Sequence, residues 1–450
     1  MKKSLVALAA LAATGAVMAQ ATIYGRTDIG YSVKSASNLA GTTLWKQTGV
    51  TDGGNAGSRI GFRGTEDLGG GMKAHFVTEQ GISPTNGALF GVRTGNAGVQ
   101  YDGLSAGTSQ FDTGSGGGYT QGTNRQTYLG LEGGFGTVRV GYQYTTVYEI
   151  STLSGFTNTS EGVIGGEIAH LWGAGTVGGT RANAIKYISP KLAGAWTVAV
   201  EMGSAGGREN TEWATANSAN GLTQDKQVRT SLHIDYNSGP LRGAMGYTAY
   251  ESSLSTRAAC GTCLTTATVA AGGAAASVGI INIFNVYGGM TAFNVSTTDA
   301  PTSQTANLLQ LAGSYNFGVA KVGVTLNSGQ RTISSVGGIN YGVASTIARS
   351  SGAGVYNYSS RAISFMMPMG KMDLVGGMGT ATLDGTAPGG ATQQIADHAT
   401  RQLGVKYNFS KRTTAYGFIG SASDSLAGVV SAATTVKDKS QSIIGIDHQF

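Results

Sequence analysis

The stretch "VRTSLHIDYN", residues 228–237, decides the fold. Val228, Thr230, Leu232, Ile234 and Tyr236 fall on one face of an extended chain, and Arg229, Ser231, His233 and Asp235 fall on the other. A period of two is the signature of a strand, here with one apolar and one polar, charged face. The pattern recurs in "LLQLAGSYNF" (308–317), where Leu309, Leu311, Tyr315 and Phe317 oppose Gln310, Ser314 and Asn316. It recurs again in "RQLGVKYNF" (401–409), where Leu403, Val405, Tyr407 and Phe409 oppose Gln402, Lys406 and Asn408. A charged interior cannot be a dry core, because burying unpaired charge costs too much. The polar face is therefore wet, and the expected object is an apolar belt around an aqueous lumen.

Turns count the strands. Seven tight turns rich in Gly, Asn, Asp and Pro punctuate the chain: "DLGGG" (67–71), "EGGFG" (132–136), "SPKLAG" (189–194), "NSGP" (237–240), "NFGV" (316–319), "MPMGK" (367–371) and "NFSK" (408–411). Each is flanked by about ten residues of strand, the length a tilted strand needs to cross a bilayer. Seven hairpins give fourteen strands. The opening "ATIYGRTDIGYSV" and closing "QSIIGIDHQF" add two, for sixteen. The connections at the other end read as long loops: 34–57, 81–123, 146–181, 203–227, 251–304, 327–355, 384–397 and 421–437. Short turns at one end and long loops at the other are the asymmetry of outer-membrane barrels. The expected fold is thus all-β: a membrane-spanning antiparallel 16-stranded up-and-down β-barrel, with short periplasmic turns and long extracellular loops. Tyr236, Tyr315, Phe317, Tyr407 and Phe409 cluster at the turn end, where amphipathic rings favour the membrane interface. A barrel has no free edge, so the last strand pairs with the first, and Phe450 joins the girdle.

Composition agrees. Charged residues are 12%, about half the globular average, and the 73 glycines are roughly twice the normal share. "MKKSLVALAALAATGAVMAQ" has a basic start, an apolar run and small residues before a cut after Ala19, so residues 1–19 read as a signal peptide and 20–450 as one barrel domain. Loss of Lys2 and Lys3 lowers the formal charge from +6 to +4 (6 − 2), with no basic cluster that would suit nucleic acid. In an oxidising compartment Cys260 and Cys263 are expected to close a small loop as a disulfide rather than hold metal.

Along the whole chain the strands resemble the general diffusion porins of Gram-negative outer membranes, beta-proteobacterial type. The resemblance is carried by "ATIYGRTDIGY" (21–31), "SRIGFRGTEDLGGGMKAHFVTEQG" (58–81), "RQTYLGLEGGFGTVRVGYQYT" (125–145), "RANAIKYISPKLAGAWTVAVEM" (181–202) and the terminal "IDHQF". It implies a homotrimer in outer-membrane lipid and lipopolysaccharide, and a terminal strand ending in Phe450 that the barrel-insertion machinery reads. It also implies a third loop, 146–181, folded into the lumen as the constriction, with its acidic Glu149, Glu161 and Glu167 facing basic groups on the wall. Strand alternation puts Arg26 and Asp28 on the lumen face of the first strand and Arg59 and Arg63 on that of the second. Lys73, His75 and Glu79 follow on the third strand and Arg139 on the fifth, with Arg125 opening the fourth. Opposed charge rows set a transverse field that filters solutes by charge and size. The resemblance also implies an arginine after the glycine of the fifth strand, where this chain has Tyr142.

Enzyme motifs fail. "GAGTVG" (173–178) fits a dinucleotide spacing but precedes a turn and a strand rather than a helix. The five histidines form no metal-ligand spacing. The expected function is a non-enzymatic channel, without cofactor or metal, for ions and small hydrophilic solutes. A substrate-preferring porin, an outer-membrane hydrolase and a non-conducting adhesin or structural barrel are the competing readings.

Overall fold

A computed structural model describes residues 21–38, 40–52, 54–82, 84–85, 124–153, 181–204, 222–256, 302–335, 354–386, 392–426 and 436–450. The signal segment 1–19, Cys260, Cys263, Glu161 and Glu167 lie outside the described residues.

The chain opens with β1 (Thr22–Asn38), β2 (Thr43–Asp52), β3 (Arg59–Gly69), β4 (Met72–Gly81), β5 (Asn124–Gly133) and β6 (Gly136–Tyr144). A short helix α1 (Thr146–Ser151) precedes β7 (Arg181–Ile188), β8 (Trp196–Ser204), β9 (Leu222–Ser238), β10 (Leu241–Thr256) and β11 (Thr302–Asn316). Then come β12 (Lys321–Ser335), β13 (Gly354–Met369), β14 (Met372–Thr386), β15 (Thr392–Asn408), β16 (Thr413–Leu426) and β17 (Val436–Gln449). Sequence neighbours pair antiparallel throughout β3 to β17, and β17 returns to β1 from Arg26↔Gln449 to Asn38↔Val436. The ring is closed, so every spanning backbone group finds its partner within the wall.

Seventeen segments make sixteen staves. Both β2 and β3 pair with β1, through Ile29↔Asp52 above and Arg26↔Arg59 below. They are two halves of one stave, with 54–58 outside the ladder between them.

All seven predicted turns lie between paired strands, and all but "NFSK" place at least one residue in the left-handed region. In "DLGGG" Gly69, Gly70 and Gly71 all have positive φ, at 78°, 62° and 79°. The opposite ends differ from expectation. The stretch read as loop 34–57 is mostly strand, with β1 running to Asn38 and β2 starting at Thr43. Strands also enter the loops read at 251–304, 327–355, 384–397 and 421–437. Those strand ends are Ser-, Thr- and Gly-rich, so they lack the apolar alternation that marks the membrane belt. The rim is lopsided: β4 to β8 are 8–10 residues long, and β9 to β17 are 14–17.

Burial is inverted relative to a soluble domain. Ile23, Leu129, Ile185, Met202, Ile419 and Ile444 are exposed on the outer face, whereas Asp28, Lys34, Lys186 and Glu201 are buried on the inner one. Exposed Tyr315 and Phe317 meet at 4.7 Å between ring centres, and Tyr407 and Phe409 at 5.0 Å, forming the turn-end girdle. Among the described residues no helix is long and apolar enough to cross a membrane; the strands cross it.

Candidate constriction site inside the barrel

Strand pairing puts Arg59, Arg63, Lys73, His75, Glu79 and Arg139 on the inner face, as alternation predicts. Arg63, Val77 and Tyr128 share one hydrogen-bonding row, and His75, Gly130, Arg139 and Lys186 another. Arg125 sits at a register shift between β4 and β5 that turns it toward the same space.

These groups do not act alike. Glu79 gathers the centre: its carboxylate accepts from Arg125 Nε at 2.5 Å and from the Tyr24 hydroxyl at 3.2 Å, and Arg59 Nε lies 3.6 Å away. Arg125 also donates to the Tyr144 hydroxyl at 2.8 Å, as does Arg181 at 3.2 Å. Arg181 covers the Tyr144 ring at 4.7 Å, while Arg63 lies over Tyr24 and Arg139 over Tyr128 at 5.0 and 5.2 Å. A guanidinium on a tyrosine face keeps its charge near the lumen without needing a carboxylate. Arg63, Lys73 and Arg139 lie nearer the turn end than this centre, and Arg63 is exposed.

Helix α1 begins the predicted constriction loop, and it lies inside the barrel. Thr145 caps it, accepting from Tyr148 N at 3.1 Å. Its Thr146 N–H donates to Glu201 of β8 at 3.1 Å. Glu201 also pairs with Lys186 at 3.2 Å and accepts from both Nε and Nη2 of Arg229. Lys186 in turn donates to Glu149 of α1 at 3.0 Å and to the Tyr144 carbonyl at 2.6 Å. Glu201 and Lys186 are fully buried, so each charge is held by the other and by charge-assisted hydrogen bonds. The apolar side of α1 packs Ile150 and Leu153 on Ala244 and Ala312 of the inner wall. Gly246 leaves the room: a Cβ there would collide with Ile150 Cδ1. Tyr148 stacks on Tyr144 at 4.4 Å, and burial followed by the Tyr144 phenol pushes its hydroxyl up to about 12.

A family model described as Gram-negative porin matches residues 5–362. The chain belongs to the Gram-negative porins. The porin is 32% identical over 216 residues to the major outer membrane protein P.IB of Neisseria meningitidis, covering 47% of this chain and 53% of that protein. It is 36% identical over 203 residues to outer membrane porin protein 32 of Delftia acidovorans, covering 43% and 47%. The chain thus spans about half the length of the curated relatives it matches. Its fold superposes on an anion-selective porin from Comamonas acidovorans with a TM-score of 0.59, at 21% identity, over 96% of this chain and 100% of the other. The trimer form of OmpT from Vibrio cholerae gives 0.55 at 15% identity, over 96% and 99%.

Residues missed from sequence now stand out in the porin: Tyr24, Tyr144, Arg181, Lys186, Glu201 and Arg229. Lys186 and Arg229 were legible, since Lys186 alternates with outward Ile185 and Tyr187, and Arg229 with Val228 and Thr230. Glu201 follows the same parity between outward Val200 and Met202. What the sequence lacks is any sign that these three neighbouring strands, β7, β8 and β9, aim them at one helix. Arg26 and Asp28 do face inward, but Arg26 is spent on Asp447 at 2.9 Å and Asp28 is fully buried. Tyr142 pairs with Thr127 and Asn183 in the ladder.

Proposed function

We propose that this porin is a passive, water-filled channel of the Gram-negative outer membrane. Ions and small hydrophilic solutes would pass it, filtered where α1 narrows the lumen beside Glu79. The supporting observation is the placement of α1: a segment outside the ladder is held by buried charges against the inner wall, facing arginines on β3, β5 and β7.

The fixed charges favour anions. Arg59 and Arg125 converge on the single carboxylate of Glu79, and Arg181 joins the cluster through the Tyr144 hydroxyl that Arg125 also binds, leaving two positive charges in excess (3 − 1). At α1, Lys186 and Arg229 cancel Glu149 and Glu201 (2 − 2). Around Asp28 and Asp447 the cations are Arg26 and Lys406. The excess therefore sits at the Glu79 cluster, where field in a narrow lumen acts most strongly. The structural neighbour from Comamonas acidovorans is described as anion-selective, in keeping with this reading. Reversal potential across a salt gradient tests it: anion preference is expected, and ideal cation preference would reject it.

The porin would assemble as a homotrimer, with its turn end in the periplasm, its rim outside, and Phe450 as the feature that insertion machinery reads. The trimer form of the OmpT neighbour supports the first point. Sedimentation of the detergent-solubilised protein would give three chains per particle, and a monodisperse monomer would contradict it.

A further inference from the structure

The interruption in the second stave does not bulge outward. After β2, residues 54–58 leave the ladder and lie across the inner face of β1, β17 and β16. Asp28, fully buried, holds them there. Its Oδ2 accepts from the backbone N–H groups of Asn55 and Ala56 at 2.8 and 2.6 Å, and its Oδ1 accepts from the Tyr416 hydroxyl at 2.6 Å. Ser58 completes the hold, accepting from Asp28 N at 2.9 Å and donating to Asp28 O at 3.1 Å. Asn55 reaches past β1 to donate to Asp447 at 2.8 Å, and Asp447 pairs with Arg26. Gly54 is required at its place, since a Cβ would collide with the Tyr416 hydroxyl. The stave resumes at once: Ile82 N donates to Ser58 O at 3.1 Å, beside β3 and β4.

Position gives this fold its meaning. The tucked segment is centred on β17, the sixteenth stave, and α1 packs on β9, β10 and β11, centred on the ninth stave. About half the circumference separates them. Both lie a few residues above the turn end: Tyr416 is three residues into β16, Gly246 five into β10 and Glu201 five into β8. Two inward elements thus approach each other from opposite walls at similar depth, with the Arg59–Glu79–Arg125 wall on the arc between them.

We infer that residues 54–58 form a second constriction element opposite α1, and that Asp28 is its positioning residue. Asp28 then acts on permeation through what it holds, rather than as a charge lining the path. The carboxylate suits the task because it accepts three donors at once, which an amide or hydroxyl in its place cannot do. The inference rests on the channel reading above.

The test is single-channel conductance, together with the size limit for neutral polyethylene glycols, of the full-length protein in planar bilayers. Asp28→Asn presents an amide to donors, frees the segment, and is expected to raise conductance roughly 1.5-fold and admit larger polymers. Tyr416→Phe removes one donor of three and should give a smaller rise. Heat-modifiable gel mobility reports barrel integrity; Tyr416→Phe, which leaves the carboxylate and both backbone bonds, serves where Asp28→Asn does not fold. Absence of conductance in the wild type would sink the channel reading itself. A conducting wild type whose folded variants keep its conductance and size limit would overturn the second constriction alone. A purely structural role for Asp28 would lower the melting temperature and leave the size limit unmoved.

Discussion

Gly25 and Phe450 close the barrel as a mutual pair: Gly25 N donates to Phe450 O at 3.0 Å, and Phe450 N donates back to Gly25 O at 3.1 Å. The last residue of the chain is therefore a full member of the sheet, continuing the register from Arg26↔Gln449. Its ring lies where a Cβ on residue 25 would stand. The glycine near the start and the aromatic at the end are one device, separated by the whole length of the chain.

Gly25→Val should consequently behave as a seam mutant. The added methyls must displace the Phe450 ring or spread β1 from β17, an overpacking cost of about 1–3 kcal/mol. Lower yield of the heat-modifiable folded form is expected, with conductance unchanged in molecules that do fold. An unchanged melting temperature would mean that the seam tolerates the displacement.

Glu201→Ala removes the carboxylate that Lys186, Arg229 and the first N–H of α1 share. Breaking a buried pair by removing one partner costs about 3–5 kcal/mol, and Glu149 still offsets part of the Lys186 charge. The expected outcome is a noisier and larger single-channel current together with a lower melting temperature. Quiet, wild-type currents would show that α1 keeps its place without the clamp.

Gly246→Val tests the same helix from its apolar side. The new side chain takes the space of Ile150, so α1 must move off the wall. Conductance and permitted solute size should both change, while Ile150→Ala, which empties the notch, costs about 2–5 kcal/mol of docking. Identical permeation in both variants would contradict the seating.

Arg59 and Arg63 are equivalent by alternation, yet the structure separates them. Arg59 faces the Glu79 cluster, whereas Arg63 is exposed and lies on Tyr24, four residues toward the turn end. Arg59→Ala should shift the reversal potential toward cations clearly more than Arg63→Ala does. Equal shifts would place the selective region lower in the lumen.

The membrane belt was legible because its physics is binary. Ile185, Lys186 and Tyr187 alternate between lipid and lumen, and glycine-rich turns end each hairpin. Strand ends beyond the belt were not, since "LNSGQRTISS" (326–335) is largely polar on both faces and carries no apolar alternation. The break in the second stave was hidden for another reason. "TDGGNAGS" (51–58) reads as the middle of a long loop, and only the position of Asp28 on a neighbouring strand turns it inward. Likewise the arginine wall could be read strand by strand, but the convergence of Arg125, Arg181 and Tyr144 depends on a register shift between β4 and β5 and on the register that sets Tyr144 opposite Arg181.

The most direct measurement is the current through a planar lipid bilayer exposed to purified, detergent-solubilised protein. A closed ring with a wet interior predicts discrete steps whose size grows in proportion to salt conductivity, without any energy source. A bilayer that stays silent, despite heat-modifiable folded protein inserted in it, would contradict the account at its root.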